Sequence, residues 1–161
     1  RLYKENILLK GFIKEIIEEM QPIAQKTNNT LEFIQQRDIR VYADRIQLKR
    51  VIKNLIQNAI SYGEPNFPIE VSIGEIPQYI VIKVKDYGAG ISKTDIDKIF
   101  NKYYSAAKKF RKIGTGLGLY LALQIIKSHN GELSVESEEG NFTEFTIKLP
   151  AVMNINLHYG E

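Results

Sequence analysis

Cysteine is absent from the 161 residues, so neither a disulfide framework nor a thiolate metal site is available, and a reducing compartment is compatible with the chain. Net charge is small as well. The balance of +3 does not by itself point to nucleic acid, although a local cluster can still steer an anion. No apolar run approaches the length of a membrane span and no signal peptide is visible. The expectation is a cytoplasmic fragment that makes no membrane contact itself, with any anchor belonging to a larger parent. Repeats and low-complexity tracts are missing, and histidine is limited to His129 and His158. What is present, 43% hydrophobic and 25% charged residues, suits the core of one ordinary domain. The first residue is Arg1 and not Met, which reads as a fragment or a processed product.

Hydrophobic periodicity organises the chain. Residues 7 to 24 place Leu9, Phe12, Ile13, Ile16, Ile17, Met20 and Ile23 on one side of a helix, which Pro22 is expected to kink or end. "TLEFIQ" (30 to 35) and "IRVYA" (39 to 43) read as short strands. A longer helix runs from Asp44, its N-cap, to Tyr62, with Leu48, Val51, Ile52, Leu55, Ile56 and Ala59 as its stripe and Gly63 as its stop. "IEVSI" (69 to 73) and "YIVIKVKD" (79 to 86) form a hairpin whose loop holds Gly74 and Pro77. "SKTD" (92 to 95) resembles a capping box that opens a short helix through Ile99. Residues 101 to 116 have no clear period and read as a mobile loop. A helix over 117 to 128 and a hairpin of "GELSVES" with "FTEFTIKLP" around "EEGN" follow, and 151 to 161 read as a tail. This order predicts an α+β two-layer sandwich, with helices on one face of a mixed, mostly antiparallel sheet.

Three segments carry chemistry. In "GTGLGL" the glycines Gly114, Gly116 and Gly118 precede a helix, where freed backbone N–H groups and the helix's own unpaired donors suit a phosphate. A tight loop needing glycine for backbone reasons alone fits those three residues equally well. In "KVKDYGAGI" alternation places Asp86 on the face of Ile80, Ile82 and Val84, so a carboxylate ends a core-facing row and needs a donor. The exocyclic amino group of adenine is one candidate, with Gly88 and Gly90 letting backbone pass close to a flat ring; the turn's own N–H groups are the other. In "RVIKNLIQNAISYG" Asn54, Asn58 and Tyr62 recur every fourth residue beside the apolar stripe. Asn58 suits a Mg²⁺ otherwise bound by water and phosphate oxygens, and Tyr62 suits a base, while solvated helix amides explain the same strip more simply. Lys102, Lys108, Lys109, Arg111 and Lys112 crowd the aperiodic loop, with no acidic residue between 98 and 131. Such a run is either a solvated loop or an electrostatic lid over polyphosphate.

Taken together the segments resemble the catalytic, ATP-binding domain of sensor histidine kinases, within a superfamily that includes DNA gyrase, MutL repair proteins and a class of heat-shock chaperones. "NLIQNAISYG" resembles the family's asparagine box, "DYGAGI" its first glycine box, "IFNKYY" its phenylalanine box and "GTGLGL" its second glycine box, in the family's order and over about residues 7 to 150. The resemblance implies ATP and Mg²⁺ as cofactors, with Asn58 on the metal, Asn54 near the phosphates, Asp86 on the adenine amino group and Tyr62 stacked on the ring. It implies that Gly88, Gly90 and Ile91 shape the base pocket and that Gly114, Thr115, Gly116, Leu117 and Gly118 form the phosphate-side loop. Phe100 and Tyr103 would anchor a lid that carries Lys108. Two positions depart from the family's habit: Ser61 stands where Lys is common and Ser105 where Arg is common, so Lys108, Lys109, Arg111 or Lys112 is left to meet the phosphates.

The resemblance also bears on the reaction. Gyrase-type hydrolases have a Glu four residues before the magnesium Asn, whereas this chain has Asn54, which cannot act as a general base. Transfer is therefore favoured over hydrolysis, with Asn54 and Asn58 as the catalytic pair and a histidine nitrogen as the acceptor. His129, in "SHNG", reads as a helix cap and His158 as part of the tail, so the acceptor is expected upstream, with residues 1 to 6 as the end of its helical hairpin. Implied partners are a dimerisation and histidine phosphotransfer domain and a response regulator receiver domain. A Ser/Thr or dehydrogenase-type kinase of the same superfamily and a degenerate nucleotide-binding module are the alternatives.

Overall fold

The computed structural model describes residues 1–34, 37–102, 104 and 118–151. In chain order the elements are β1 (Lys4–Leu8), α1 (Leu9–Gln25), β2 (Thr30–Ile34), β3 (Arg40–Asp44), α2 (Arg45–Tyr62), β4 (Pro68–Ile76), β5 (Tyr79–Asp86), α3 (Gly118–Ser128), β6 (Glu132–Glu138) and β7 (Phe142–Pro150). Five strands make one sheet in the order β2-β4-β5-β7-β6, in which β2 runs parallel to β4 and every other pair is antiparallel. The three helices among the described residues cover it, giving the expected α+β sandwich with a mixed sheet.

Side-chain period explains the layering. Along α1 the buried residues are Leu9, Phe12, Ile13, Ile16, Ile17, Met20 and Ala24, and along α2 they are Leu48, Val51, Ile52, Leu55, Ile56, Ala59 and Ile60. In the sheet, antiparallel register sets Ile80 beside Leu149, Ile82 beside Ile147 and Val84 beside Phe145, all buried. These cross-strand pairs build the apolar rows against which the helices pack. Phe100 closes one end of the core, its ring edge-on to Phe145 with centroids 6.1 Å apart.

Four expectations are corrected. Residues 4 to 6, read as the end of a helical hairpin, belong to β1, because antiparallel pairing with β3 sets Ile7 on Val41 in the core while Tyr3 N–H donates to Asp44 Oδ2 at 2.9 Å. Pro22 does not end α1, which continues to Gln25; it lies in the last turn, exposed to solvent. Gly74 is not in the β4–β5 loop. The strands pair through Ile76 and Tyr79, leaving only Pro77 and Gln78 as the turn, with Gln78 at φ 72°. Residues 93 to 100 form successive turns and no helix, although Ser92 does accept from Asp95 N–H at 3.3 Å as a capping residue would.

Asp44 and His129 lock the start of α2 to the end of α3. Asp44 caps α2 by accepting from Gln47 N–H at 3.1 Å, and the bond from Tyr3 N–H leads in holding its carboxyl below the ordinary range against the opposing effect of burial. His129, 2% exposed, follows α3, with Nδ1 2.9 Å from Ile125 O and Nε2 accepting from Asp44 N–H at 3.0 Å. With Nε2 accepting, Nδ1 is the nitrogen left to donate to Ile125 O. His129 thus caps its helix as expected and also ties α3 to the start of α2.

Candidate functional site

The site forms where α2 ends against the end of β5. Asp86 is the last residue of its strand and only 3% exposed. Oδ1 accepts from Gly88 N–H at 2.9 Å, and among the described residues the carboxylate has no other hydrogen-bond partner. Burial pushes its pKa from the ordinary 3.8 up to about 7, only partly opposed by the Gly88 N–H. A buried carboxylate with an unmet acceptor is costly unless a donor arrives, and a flat ring bearing an amino group is such a donor.

Two glycines bring the helix to this carboxylate. A Cβ on Gly88 would lie 2.4 Å from Tyr62 O and 2.5 Å from Gly63 Cα, and one on Gly63 would lie 3.3 Å from Asp86 Cβ. Backbone therefore meets backbone, and the C-terminal turn of α2 is pressed on the β5 turn. Gly88 forms one side of this seam. Gly90 has φ 72°, and a Cβ there would meet Glu138 O at 2.3 Å, so its contact is with the β6–β7 turn. That turn is tied back by Gly140 N–H to Ala89 O, and Ile91 N–H donates to Ser137 Oγ at 2.8 Å.

Along α2, Asn54, Asn58 and Tyr62 are all partly exposed, on the strip that borders the buried stripe. Asn54 Nδ2 reaches Gly118 O at 3.4 Å, which brings the asparagine helix to the first residue of α3. Asn58 has no hydrogen-bond partner among the described residues, so its amide oxygen is available. One neutral oxygen with water and phosphate oxygens fits Mg²⁺, which keeps much of its hydration and does not require a protein cage. Among the described residues no group of three or more histidine or carboxylate side chains could hold a metal ion by itself. Ser61 accepts from Gln57 Nε2 at 3.3 Å, and Lys102 lies 5.7 Å from the Tyr120 ring centroid. Tyr103, Ser105, Lys108, Lys109, Arg111, Lys112, Gly114, Thr115, Gly116, Leu117 and His158 lie outside the described residues.

Residues 43 to 153 match the family model described as histidine kinase-, DNA gyrase B-, and HSP90-like ATPase. The chain belongs to this ATPase family. Among curated relatives, the sensor histidine kinase WalK of Bacillus subtilis strain 168 is 33% identical over 153 residues, covering 91% of this chain and 25% of WalK. Sensor protein SrrB of Staphylococcus aureus strain NCTC 8325 / PS 47 is 38% identical over 109 residues, covering 66% of this chain and 19% of SrrB. A nucleotide-free structure of the catalytic domain of histidine kinase ThkA matches with a TM-score of 0.82 at 28% identity, over 93% of this chain and 97% of that one. The chain thus spans about a quarter or less of the length of these curated relatives and nearly the whole of a histidine kinase catalytic domain. No helix among the described residues is long and apolar enough to cross a membrane.

Two residues at the candidate site escaped sequence reading. Thr143, 5% exposed, pairs in register with Asp86, and its Oγ1 is 2.9 Å from Ser137 Oγ, so a polar row of Asp86, Thr143 and Ser137 crosses three strands where the apolar rows end. The signal existed. Thr143 heads the alternation Phe145, Ile147, Leu149 just as Asp86 ends that of Ile80, Ile82 and Val84. Gly63 read only as a helix stop, because its close approach to Gly88 involves a segment distant in sequence.

Proposed function

We propose that the chain binds Mg-ATP and transfers its γ-phosphoryl group to a histidine on a dimerisation and phosphotransfer domain outside these 161 residues, as the kinase unit of a two-component system whose downstream partner is a response regulator receiver domain. The observation that carries the reading is the Asp86 carboxylate, buried with an unmet acceptor beside the asparagine strip of α2. Family membership and the names of the relatives support it.

Each residue has a defined task. Asp86 accepts from the adenine amino group, and Gly63 and Gly88 keep side chains out of the adjoining wall. Asn58 would hold Mg²⁺, whose contribution is to offset the charge of the phosphates. Asn54, bonded to Gly118, has no basic group with which to activate water, which favours transfer over hydrolysis. The reaction forms a bond from imidazole nitrogen to phosphorus and breaks the bond from phosphorus to the bridging oxygen of ADP, so the domain's task is positioning and charge neutralisation. Both ring nitrogens of buried His129 are already engaged, which supports an acceptor elsewhere.

The test is to mix the chain with the parent's upstream hairpin and γ-labelled ATP. Acid-labile label on the hairpin is the expected result; acid-stable label would indicate a hydroxyl kinase, and no label a binding module. A narrower prediction concerns the metal. Asn58→Ala should weaken ATP binding about tenfold with Mg²⁺ and less than about twofold in EDTA. Equal losses by calorimetry in the two conditions would remove Asn58 from the metal.

A further inference from the structure

Asn29 precedes β2 and is only 2% exposed, yet it is polar and lies far in sequence from the residues described above. Its side chain is fully used. Nδ2 donates to Glu64 O at 2.9 Å and to Phe67 O at 2.8 Å, while Oδ1 accepts from the Thr27 hydroxyl. One amide therefore grips both ends of the segment that leads from α2 into β4. Two further bonds hold the same segment: Asn66 N–H to Thr27 O at 3.3 Å and Asn28 Nδ2 to Asn66 Oδ1 at 2.7 Å, with Asn28 and Asn66 both at positive φ. Glu64 follows Gly63 directly, and Gly63 is the backbone that fronts Asp86 and Gly88.

We propose that Asn29 is a positioning residue for adenine recognition, setting the 64–67 segment and through it the Gly63 wall against which the Asp86 carboxylate is held. The inference rests on the nucleotide reading above. Asn29 touches no nucleotide in this account; it acts through two carbonyl groups and one glycine. Its influence should fall on the base and not on the phosphates, because the clamped segment adjoins the C-terminal end of α2, whereas Asn54 meets Gly118 two turns earlier along that helix.

The test compares the unaltered chain with Asn29→Ala and, as a milder change, Thr27→Val, which keeps the amide but removes the hydroxyl that orients it. Affinities for ATP, ADP, adenosine and GTP are measured by calorimetry at a temperature where circular dichroism finds each variant folded. For Asn29→Ala the expected result is a loss of about tenfold for all three adenine ligands alike, a Mg²⁺ dependence like that of the unaltered chain and a narrowed preference for ATP over GTP. Thr27→Val should lose about two- to threefold in the same pattern. A purely architectural residue would lower the melting temperature and leave the affinities of folded molecules as they were. That outcome in either folded variant overturns the inference while the nucleotide reading stands; an unaltered chain that binds no adenine ligand overturns both.

Discussion

Asp86→Asn is expected to make the nucleotide-free domain more stable and unable to select adenine. Burial raises the carboxyl pKa from 3.8 to about 7, so between these values the folded chain keeps a proton that the unfolded chain has released. Stability must therefore fall as pH rises through that window and level off above about 7. The neutral amide avoids this cost. It should gain about 2–4 kcal/mol at pH 8 and almost nothing at pH 3, read from urea unfolding at the two pH values. Binding moves the other way: an amide can turn a donor toward adenine's own donor, and a loss of about a hundredfold or more in ATP affinity is expected at pH 8. A variant that binds as before, or whose stability gain is the same at both pH values, would show that the carboxylate has other partners.

The second large effect is expected from Gly88→Ala. The added methyl would sit 2.4 Å from Tyr62 O and 2.5 Å from Gly63 Cα, and neither atom is the far end of a flexible side chain. One backbone segment has to move, at a cost of about 3 kcal/mol in a close-packed interior, and α2 separates from Asp86 as it does so. Thermal unfolding should reveal the loss, and folded molecules at low temperature should bind ATP at least about tenfold more weakly. Gly74→Ala is the control, because a Cβ there meets nothing within 4 Å, and its stability should stay within about 0.5 kcal/mol. Similar behaviour of the two variants would remove the seam between Gly63 and Gly88 from the account.

Much of this was legible in the sequence, and the reasons are local. The stripes of α1 and α2 and the alternation of β5 and β7 each sit in one continuous window, so period alone set their inner faces, and Asp86 stood out as the polar residue ending such a row. Where pairing partners are distant the signal was lost. Lys4–Leu8 is extended only because β3 lies beside it, and its Ile7 merges into the apolar pattern of α1. Asn29 sits in the polar stretch "QKTNN" that leads into β2 and gives no signal of its own, since its two carbonyl partners lie 35 and 38 residues further on. Ser92 offers a capping oxygen, yet 93 to 100 settle into separate turns, as a short helix costs nearly as much to nucleate as it returns.

The imidazole of His129 serves as mortar between two helix ends, with a lone pair on one side and a proton on the other committed to main-chain groups. Attaching phosphate at either nitrogen would evict one of those groups from the interior. Mass spectrometry that finds His129 modified would accordingly report molecules that had opened and not molecules that had turned over.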